Sequence, residues 1–173
     1  RQRISAMRQA GWVREAGIEL LELREWHGFA LATRAALGVT TTPLVCVIQH
    51  DLAFLRKVDM APVADMLLRS RGAVREANFV NFPRVLQQGY RNLLRSRTGL
   101  DVGPPVAFET PSGGCSLTRL PQFLDGTHLA RADWYRGVFK RAEAEDNLRP
   151  LIKQGAFQEL TLGRYMFRLA RHQ

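Results

Sequence analysis

Leu44-Val45-Cys46-Val47-Ile48-Gln49-His50-Asp51 is the stretch of sequence that decides the predicted fold. An apolar run rich in β-branched residues, preceded by Thr42-Pro43, is typical of a strand that is buried on both faces of a parallel sheet. Asp51 then stands at the carboxyl end of this strand, and open α/β sheets bind their ligands outside the carboxyl ends of their strands. The stretch therefore predicts a ligand-binding or metal-binding carboxylate at Asp51.

The segments around this stretch alternate between strand and helix patterns. Ile18–Leu23 is predicted to be a strand, residues 29–37 a helix that Gly38 ends, and Leu44–Gln49 the next strand. A strand, helix, strand unit with a crossover of this length implies parallel pairing. The predicted fold class is therefore α/β, with a Rossmann-like, open and mostly parallel sheet flanked by helices.

The rest of the chain continues this alternation, except that residues 101–127 are rich in proline and glycine and are predicted to be loop and strand. The other predicted elements are helices over residues 1–15, after a cap at Asp59, from Pro83 to Gly99, over Ala132–Ala142 and over residues 147–154, and a strand over Ala77–Phe82. The pattern leaves open whether Tyr165–Leu169 is a strand or a last helix.

Length and composition indicate one domain over residues 1–173, since 173 residues with 46% hydrophobic content can bury one proper core. The chain begins at Arg1 without methionine, and we expect the domain to be incomplete at its N-terminus. No stretch approaches the roughly 20 apolar residues that a membrane-spanning helix needs. We therefore expect a soluble domain without a transmembrane segment.

The formal charge of +9 comes almost entirely from arginine, because lysine occurs only at Lys57, Lys140 and Lys153. The planar guanidinium group donates two hydrogen bonds at once and suits phosphate oxygens. Such a charge fits a nucleotide diphosphate, a nucleic acid, an anionic membrane or an acidic partner protein. A skewed coding composition also produces it, so charge alone does not identify a partner.

Several short motifs of the chain occur together, and in the same order, in one known family. They are Gln49-His50-Asp51 with Phe54-Leu55-Arg56, Asn81-Phe82-Pro83, Leu124-Asp125-Gly126-Thr127-His128, Trp134-Tyr135-Arg136, Glu145-Asp146-Asn147-Leu148 and Leu162-Gly163-Arg164-Tyr165. In these motifs the chain resembles glycosyltransferases of the A-type fold, over roughly residues 18–167. More narrowly, it resembles uncharacterised glycosyltransferase-like proteins of algae and bacteria that carry a Gln-His-Asp strand end.

The resemblance implies transfer of a sugar from a nucleotide-sugar donor to a hydroxyl acceptor. Asp51 takes the place of the acid that holds Mn²⁺ or Mg²⁺ against the donor diphosphate, and such a cation neutralises charge on the leaving group. Asp146, with Glu145 before it, matches the acid that removes the proton from the acceptor hydroxyl in inverting members. These are the implied metal-binding and catalytic residues.

The resemblance also implies residues that bind the donor or its metal. His50 lies beside Asp51 in the strand end, and His128 is a candidate, with His172, for the late histidine that some members place on the metal or diphosphate. Gly113 and Gly114 have no side chain, so the backbone there can approach a ligand closely. We therefore expect His50, Gly113, Gly114 and His128 to contribute to donor binding.

Each of these residues also has a purely structural interpretation that the sequence leaves open. Asp51 and Asp146 can each cap a following helical turn. His128 can be a hydrogen-bonded loop imidazole. Trp134 and Tyr135 open a helix at core spacing, which favours packing in the core over stacking on a sugar.

Two departures from the family pattern lead to an alternative function. Gln49 stands where family members usually carry a second acid, and the strand that reads the nucleotide base should precede residues 1–15. The alternative is a catalytically degenerate domain that serves as a basic structural subunit of a larger assembly. Either function leaves the location in the cell open, with the Golgi or secretory lumen and the cytoplasm as the options for a longer chain.

A third alternative is nucleic-acid binding through the arginine-rich face of the helix predicted after Pro83. Its arginines are Arg84, Arg91, Arg95 and Arg97. No helix-turn-helix, zinc finger or aromatic RNA-binding motif accompanies them, so we rank nucleic acid last among the partners.

Overall fold

The computed structural model describes residue 6, residues 9–49, residue 54, residues 57–69, 77–82, 89–121, 123–124 and 126–144, and residue 163. In chain order, its elements are α1 (Gly11–Glu15), α2 (Gly28–Val39), β1 (Leu44–Val47), α3 (Ala61–Arg69), β2 (Phe79–Asn81), α4 (Tyr90–Thr98), β3 (Val106–Thr110), β4 (Gly113–Leu117), β5 (His128–Arg131) and α5 (Ala132–Ala144). None of the helices in these ranges is both long enough and apolar enough to cross a membrane.

The larger sheet has three strands, with β5 in the centre and β1 and β2 on either side of it. Both outer strands pair antiparallel to β5, and the register places Val47 and Asn81 opposite His128. Therefore β1 and β2 run in the same direction without being neighbours. The second sheet is the two-stranded antiparallel hairpin of β3 and β4.

The predicted Rossmann-like, mostly parallel sheet, which is also the A-type fold that the resemblance implied, is wrong. Every strand pair in the described part of the chain is antiparallel, and Ile18–Leu23 forms no strand there. The prediction assumed that strands adjacent in sequence pair with each other. Instead β5, which comes from much later in the chain, lies between β1 and β2 and hydrogen-bonds to both.

The two faces of this sheet carry two hydrophobic clusters, because successive β5 residues point to opposite sides. The first cluster packs α2 and α5 on one face and consists of Leu37, Phe123, Ala130, Tyr135 and Phe139. The second packs α3 and the hairpin on the other face and consists of Val63, Met66, Leu67, Val80 and Leu129. The sheet is thus the centre of a layered core.

Burial of β1 differs from the prediction of a strand covered on both faces. Val45 and Val47 are half-buried against the first cluster, whereas Cys46, on the other face, is exposed. β1 is an outer strand of the described sheet, so the elements that cover central β5 cover β1 only in part.

Two local helix signals, at Asp59 and Gly99, are confirmed, whereas Gly38 does not end α2, which continues to Val39. The Asp59 carboxylate accepts a hydrogen bond from the Ala61 N–H at 3.1 Å, as the predicted cap of α3 requires. Gly99 ends α4 in the left-handed conformation with φ of 74°, which glycine adopts without strain. The segments predicted over residues 147–154 and over Tyr165–Leu169 lie outside the described residues.

Candidate functional site

The amino end of β5 is the place where the quoted motifs meet. Because β1 and β2 are antiparallel to β5, their carboxyl ends lie beside its first residue, His128. Gln49 follows β1 at this end and Phe82 follows β2. We call this region the His128 edge: Val47, Asn81, Phe82, His128 and the 123–127 segment, of which all residues but Asp125 are described.

The 123–127 segment is attached to β2 by two hydrogen bonds beyond the strand ladder. The Phe82 N–H donates to the Thr127 carbonyl at 2.9 Å. The Asn81 side-chain amide donates to the Leu124 carbonyl at 3.3 Å. The Asn81-Phe82 motif therefore has a definite structural task, which is to hold the segment that leads into β5.

His128 is fully buried at this edge, and its Nδ1 lies 2.6 Å from the Gly126 carbonyl oxygen. A carbonyl can only accept, so Nδ1 carries a proton and donates it to the Gly126 oxygen. Ring centroids of Phe79, Phe123 and Tyr135 lie 4.7, 5.6 and 5.6 Å from the imidazole. The structure thus places His128 in the aromatic core, and its role in donor binding stays a prediction.

Gly163, the one described residue of the late motif, also lies against the 123–127 segment. A Cβ atom built on Gly163 lies 2.6 Å from the Phe123 carbonyl oxygen, closer than any real side chain allows. Only glycine permits the two backbones to approach this closely. The close approach gives Gly163 a packing reason for lacking a side chain.

The Trp134-Tyr135-Arg136 motif contributes mainly to the core. Tyr135 is fully buried, and Trp134 packs partly buried against the first cluster. Packing in the core, which we favoured over sugar stacking, is therefore confirmed for Tyr135. Arg136 instead reaches the C-terminal turn of α2, where its Nε donates to the Leu37 carbonyl at 3.1 Å.

Four residues to which the resemblance assigns metal binding, catalysis or donor binding lie outside the described part of the chain. They are His50, Asp51, Glu145 and Asp146, and their roles in donor binding (His50), metal binding (Asp51) and catalysis (Glu145 and Asp146) stay predictions. Among the described residues, no three histidine, cysteine, aspartate or glutamate side chains lie close enough to hold a metal ion. The structure describes the chain up to Gln49, two positions before Asp51.

Gly113 and Gly114 lie in the hairpin, where they permit close packing. A Cβ atom on Gly113, whose φ is 122°, lies 3.4 Å from the Pro62 ring of α3. A Cβ atom on Gly114 lies 3.0 Å from a carboxylate oxygen of Glu109 on the paired strand. The positive φ gives Gly113 a structural explanation, whereas the exposed Glu109 side chain can move away from a residue larger than Gly114, and the role of both glycines in donor binding stays a prediction.

The carboxyl end of β5 forms a second region, which the sequence reasoning missed. A groove of about 270 Å³ is lined there by Thr41, Thr42, Pro43, Leu68, Arg131, Ala132, Asp133 and Arg136. We call it the Arg131 edge. The Arg-Ala-Asp sequence at the junction of β5 and α5 is the signal that could have indicated it.

The charges of the Arg131 edge are engaged with protein groups. Arg131 donates to both Asp133 carboxylate oxygens, at 3.1 and 2.7 Å. These hydrogen bonds are the main reason why the pKa of Asp133 lies below its usual value. Arg136 donates to the Leu37 and Thr40 carbonyls at the end of α2. The arginines that line the groove are therefore used mainly in hydrogen bonds within the protein.

In comparisons with known proteins, no family model, curated sequence or solved structure matches this chain. The functional conclusion therefore depends on the motifs and on where the fold brings them.

Proposed function

We propose that the chain transfers a sugar from a nucleotide-sugar donor to a hydroxyl acceptor, and that the donor binds at the His128 edge. The observation that carries the proposal is the convergence of motifs that are far apart in sequence. Gln49, Asn81-Phe82 and Leu124–His128 meet at one end of the three-stranded sheet.

The antiparallel sheet is compatible with this site. Since β1 and β2 both run antiparallel to β5, their carboxyl ends come to the same edge, as they would in a parallel pair. Asp51 follows Gln49 by two positions in sequence. We assign Asp51 to the divalent cation, Mn²⁺ or Mg²⁺, which supplies charge neutralisation for the diphosphate when bound.

α5 is the described helix that precedes the second proposed acid in sequence. The helix begins directly after β5 at the Arg131 edge, yet Tyr135 in its first turn already contacts His128. Phe139, one turn later, belongs to the same cluster as Phe123. The helix thus runs back along the sheet, and Glu145 and Asp146 follow its last residue in sequence.

In the proposed reaction, the acceptor oxygen attacks the anomeric carbon and the bond from that carbon to the diphosphate oxygen breaks. The nucleoside diphosphate leaves with the electron pair, and Asp146 takes the proton of the acceptor hydroxyl. A base in this role typically contributes about 10²- to 10⁴-fold in rate.

Binding and transfer measurements on the full chain test the proposal. We expect uridine or guanosine diphosphate to bind in the presence of Mn²⁺, as measured by calorimetry, and Asp51→Asn to weaken this binding at least about tenfold, because a carboxylate ligand is lost. Asp146→Asn should keep nucleotide binding and lose release of nucleoside diphosphate from nucleotide sugars. Asp133→Asn, at the opposite edge, is the matched control and should change neither. The proposal fails if neither nucleotide binds, or if Asp51→Asn binds like the wild type.

A second candidate is a catalytically inactive domain that acts as a basic structural subunit of a larger assembly. Ile18, Leu21 and Trp26 favour it, since they lie in a segment without helix or strand and are 45%, 48% and 71% exposed. They lie close together in sequence, and exposed apolar patches often mark a protein interface. Absence of nucleotide binding together with self-association or stable complex formation in sedimentation experiments would favour this candidate over the enzyme.

Nucleic-acid binding gains no support from the arginine face. Arg91 donates to both Asp101 carboxylate oxygens, at 2.9 and 3.1 Å, and Arg95 lies 3.8 Å from the same carboxylate. The hydrogen bond from Arg91 is the main cause that lowers the pKa of Asp101 to about 2. Two arginines of this face thus already face a protein anion.

A further inference from the structure

Four backbone carbonyls of the 123–127 segment are in contact with other groups of the protein. The Leu124 and Thr127 carbonyls accept hydrogen bonds from Asn81 and Phe82 of β2. The Gly126 carbonyl accepts from His128 Nδ1. The Phe123 carbonyl lies against Gly163. Three different parts of the chain therefore determine the path of this one segment.

His128, the residue that directly follows the segment, holds it from the start of β5. Its Nδ1 is attached directly to the ring carbon nearest the backbone, so it can reach back to the carbonyl two residues earlier. The rest of the ring fills the space between Phe79, Phe123 and Tyr135. The His128 side chain thus links the backbone of the 123–127 segment to the aromatic cluster.

We infer that His128 is a positioning residue, which holds the Gly126 carbonyl through Nδ1 and so keeps the 123–127 segment in the shape that the donor site needs. The inference rests on the proposed function for the site itself. It differs from the role that the resemblance implied, in which His128 touches the metal or diphosphate. Positioning uses Nδ1, whereas a ligand on the ring of His128 would use Nε2.

Two isosteric substitutions separate these roles. The amide nitrogen of asparagine stands near the place of Nδ1, whereas that of glutamine stands near the place of Nε2. We therefore expect His128→Asn to retain most of the transfer activity. His128→Gln should lower kcat by up to about 10²-fold, as misplacement of a site by about 1 Å can, with a smaller change in the KM for the donor. The reverse order, or equal losses in both variants, would overturn the inference.

His27 provides a matched control for the local hydrogen bond. Its Nδ1 lies 2.7 Å from the Glu25 carbonyl, which is also two residues earlier, but the bond is exposed and outside the His128 edge. His27→Gln and His27→Asn should both leave kcat and KM within about twofold of the wild type, because an exposed bond exchanges readily with water. If His27→Gln lost as much activity as His128→Gln, the hydrogen bond at the His128 edge would have no special role in positioning.

Nitrogen-15 NMR of the His128 ring in the full wild-type chain gives a measurement that does not depend on catalysis. We expect Nδ1 to carry a proton that exchanges slowly, because it donates to the Gly126 carbonyl. A ring protonated on Nε2 alone overturns the inference even if the chain is an active transferase, because Nδ1 then has no proton to donate. If wild type transfers no sugar, the proposed function fails, and the tautomer together with thermal unfolding of the Asn and Gln variants still decides whether His128 holds the segment.

Discussion

The His128 edge and the Arg131 edge lie at opposite ends of one short strand, β5, but they are built from different interactions. The first consists of aromatic contacts and hydrogen bonds around the 123–127 segment, part-buried at Asn81 and buried at His128. The second consists of arginine and aspartate groups that line a groove on the surface. Water cannot easily replace a buried bond, whereas an exposed ion pair exchanges with solvent and contributes little to stability. The His128 edge is therefore the end that can hold a fixed shape.

The largest expected effect is removal of the aromatic ring at the His128 edge. Phe123 is 1% exposed and lies between the rings of Phe79 and Tyr135. Phe123→Ala should lower the free energy of unfolding by about 3–5 kcal/mol, because it loses apolar burial and leaves a cavity. Leu68→Ala at the Arg131 edge, where Leu68 is 44% exposed, should cost under about 1 kcal/mol in the same denaturant titration. Similar losses in both variants would contradict the difference between the edges.

A pair of glycine substitutions tests the contact of the late motif with the 123–127 segment. Gly163→Ala should destabilise the chain by about 1–3 kcal/mol, because the new methyl group meets the Phe123 carbonyl. Gly137→Ala, inside α5 with nothing within 4 Å of the new Cβ, should instead stabilise it by about 0.5–1 kcal/mol. The measurement is again denaturant unfolding. Stabilisation by Gly163→Ala would show that the close approach does not exist in solution.

The third prediction concerns Arg136, which joins α5 to the end of α2 at the Arg131 edge. Arg136→Met keeps most of the apolar stem but loses the hydrogen bonds to the Leu37 and Thr40 carbonyls. We expect a loss of about 1–2 kcal/mol in the free energy of unfolding. Arg141→Met, at an exposed position of the same helix, should change it by less than about 0.5 kcal/mol. Equal effects would mean that Arg136 has no special structural role.

The smallest effect is expected from the exposed pair of Arg131 and Asp133. The hydrogen bond from Arg131 lowers the pKa of Asp133 below its usual 3.8, so the pair stabilises the fold above pH 3.8 and loses this contribution as the pH falls through the folded-state pKa. The difference in Tm between wild type and Asp133→Asn should therefore shrink at acid pH and with added salt. A difference that does not vary with pH would contradict the pairing.

The elements of the fold that depend on local signals were predictable from sequence. Asp59 before α3 and Gly99 after α4 act through hydrogen bonds and dihedral angles of their immediate neighbours, so the sequence around them is sufficient. Strand pairing was not predictable in this way. β5 has four residues and follows a region rich in proline and glycine, and nothing local shows that it will lie between β1 and β2.

The candidate site was predictable only in part, for the same reason. The motifs around Gln49, Asn81 and His128 could be quoted one by one, but each is short and has an ordinary structural interpretation. Their common location became visible when the pairing of β1 and β2 with β5 was known. The use of His128 Nδ1 and the need for glycine at position 163 depend on distances between residues that are far apart in sequence.

By itself, the sequence determined the arginine-based positive charge and the positions of several helices. These follow from composition, periodicity and capping, which act over a few residues. Only the tertiary structure decided that β5 separates β1 from β2, that His128 is buried among aromatic rings, and that one end of the sheet gathers the motifs while the other pairs its charges. These outcomes depend on which surfaces bury one another when the whole chain packs, and contacts between distant residues set that balance.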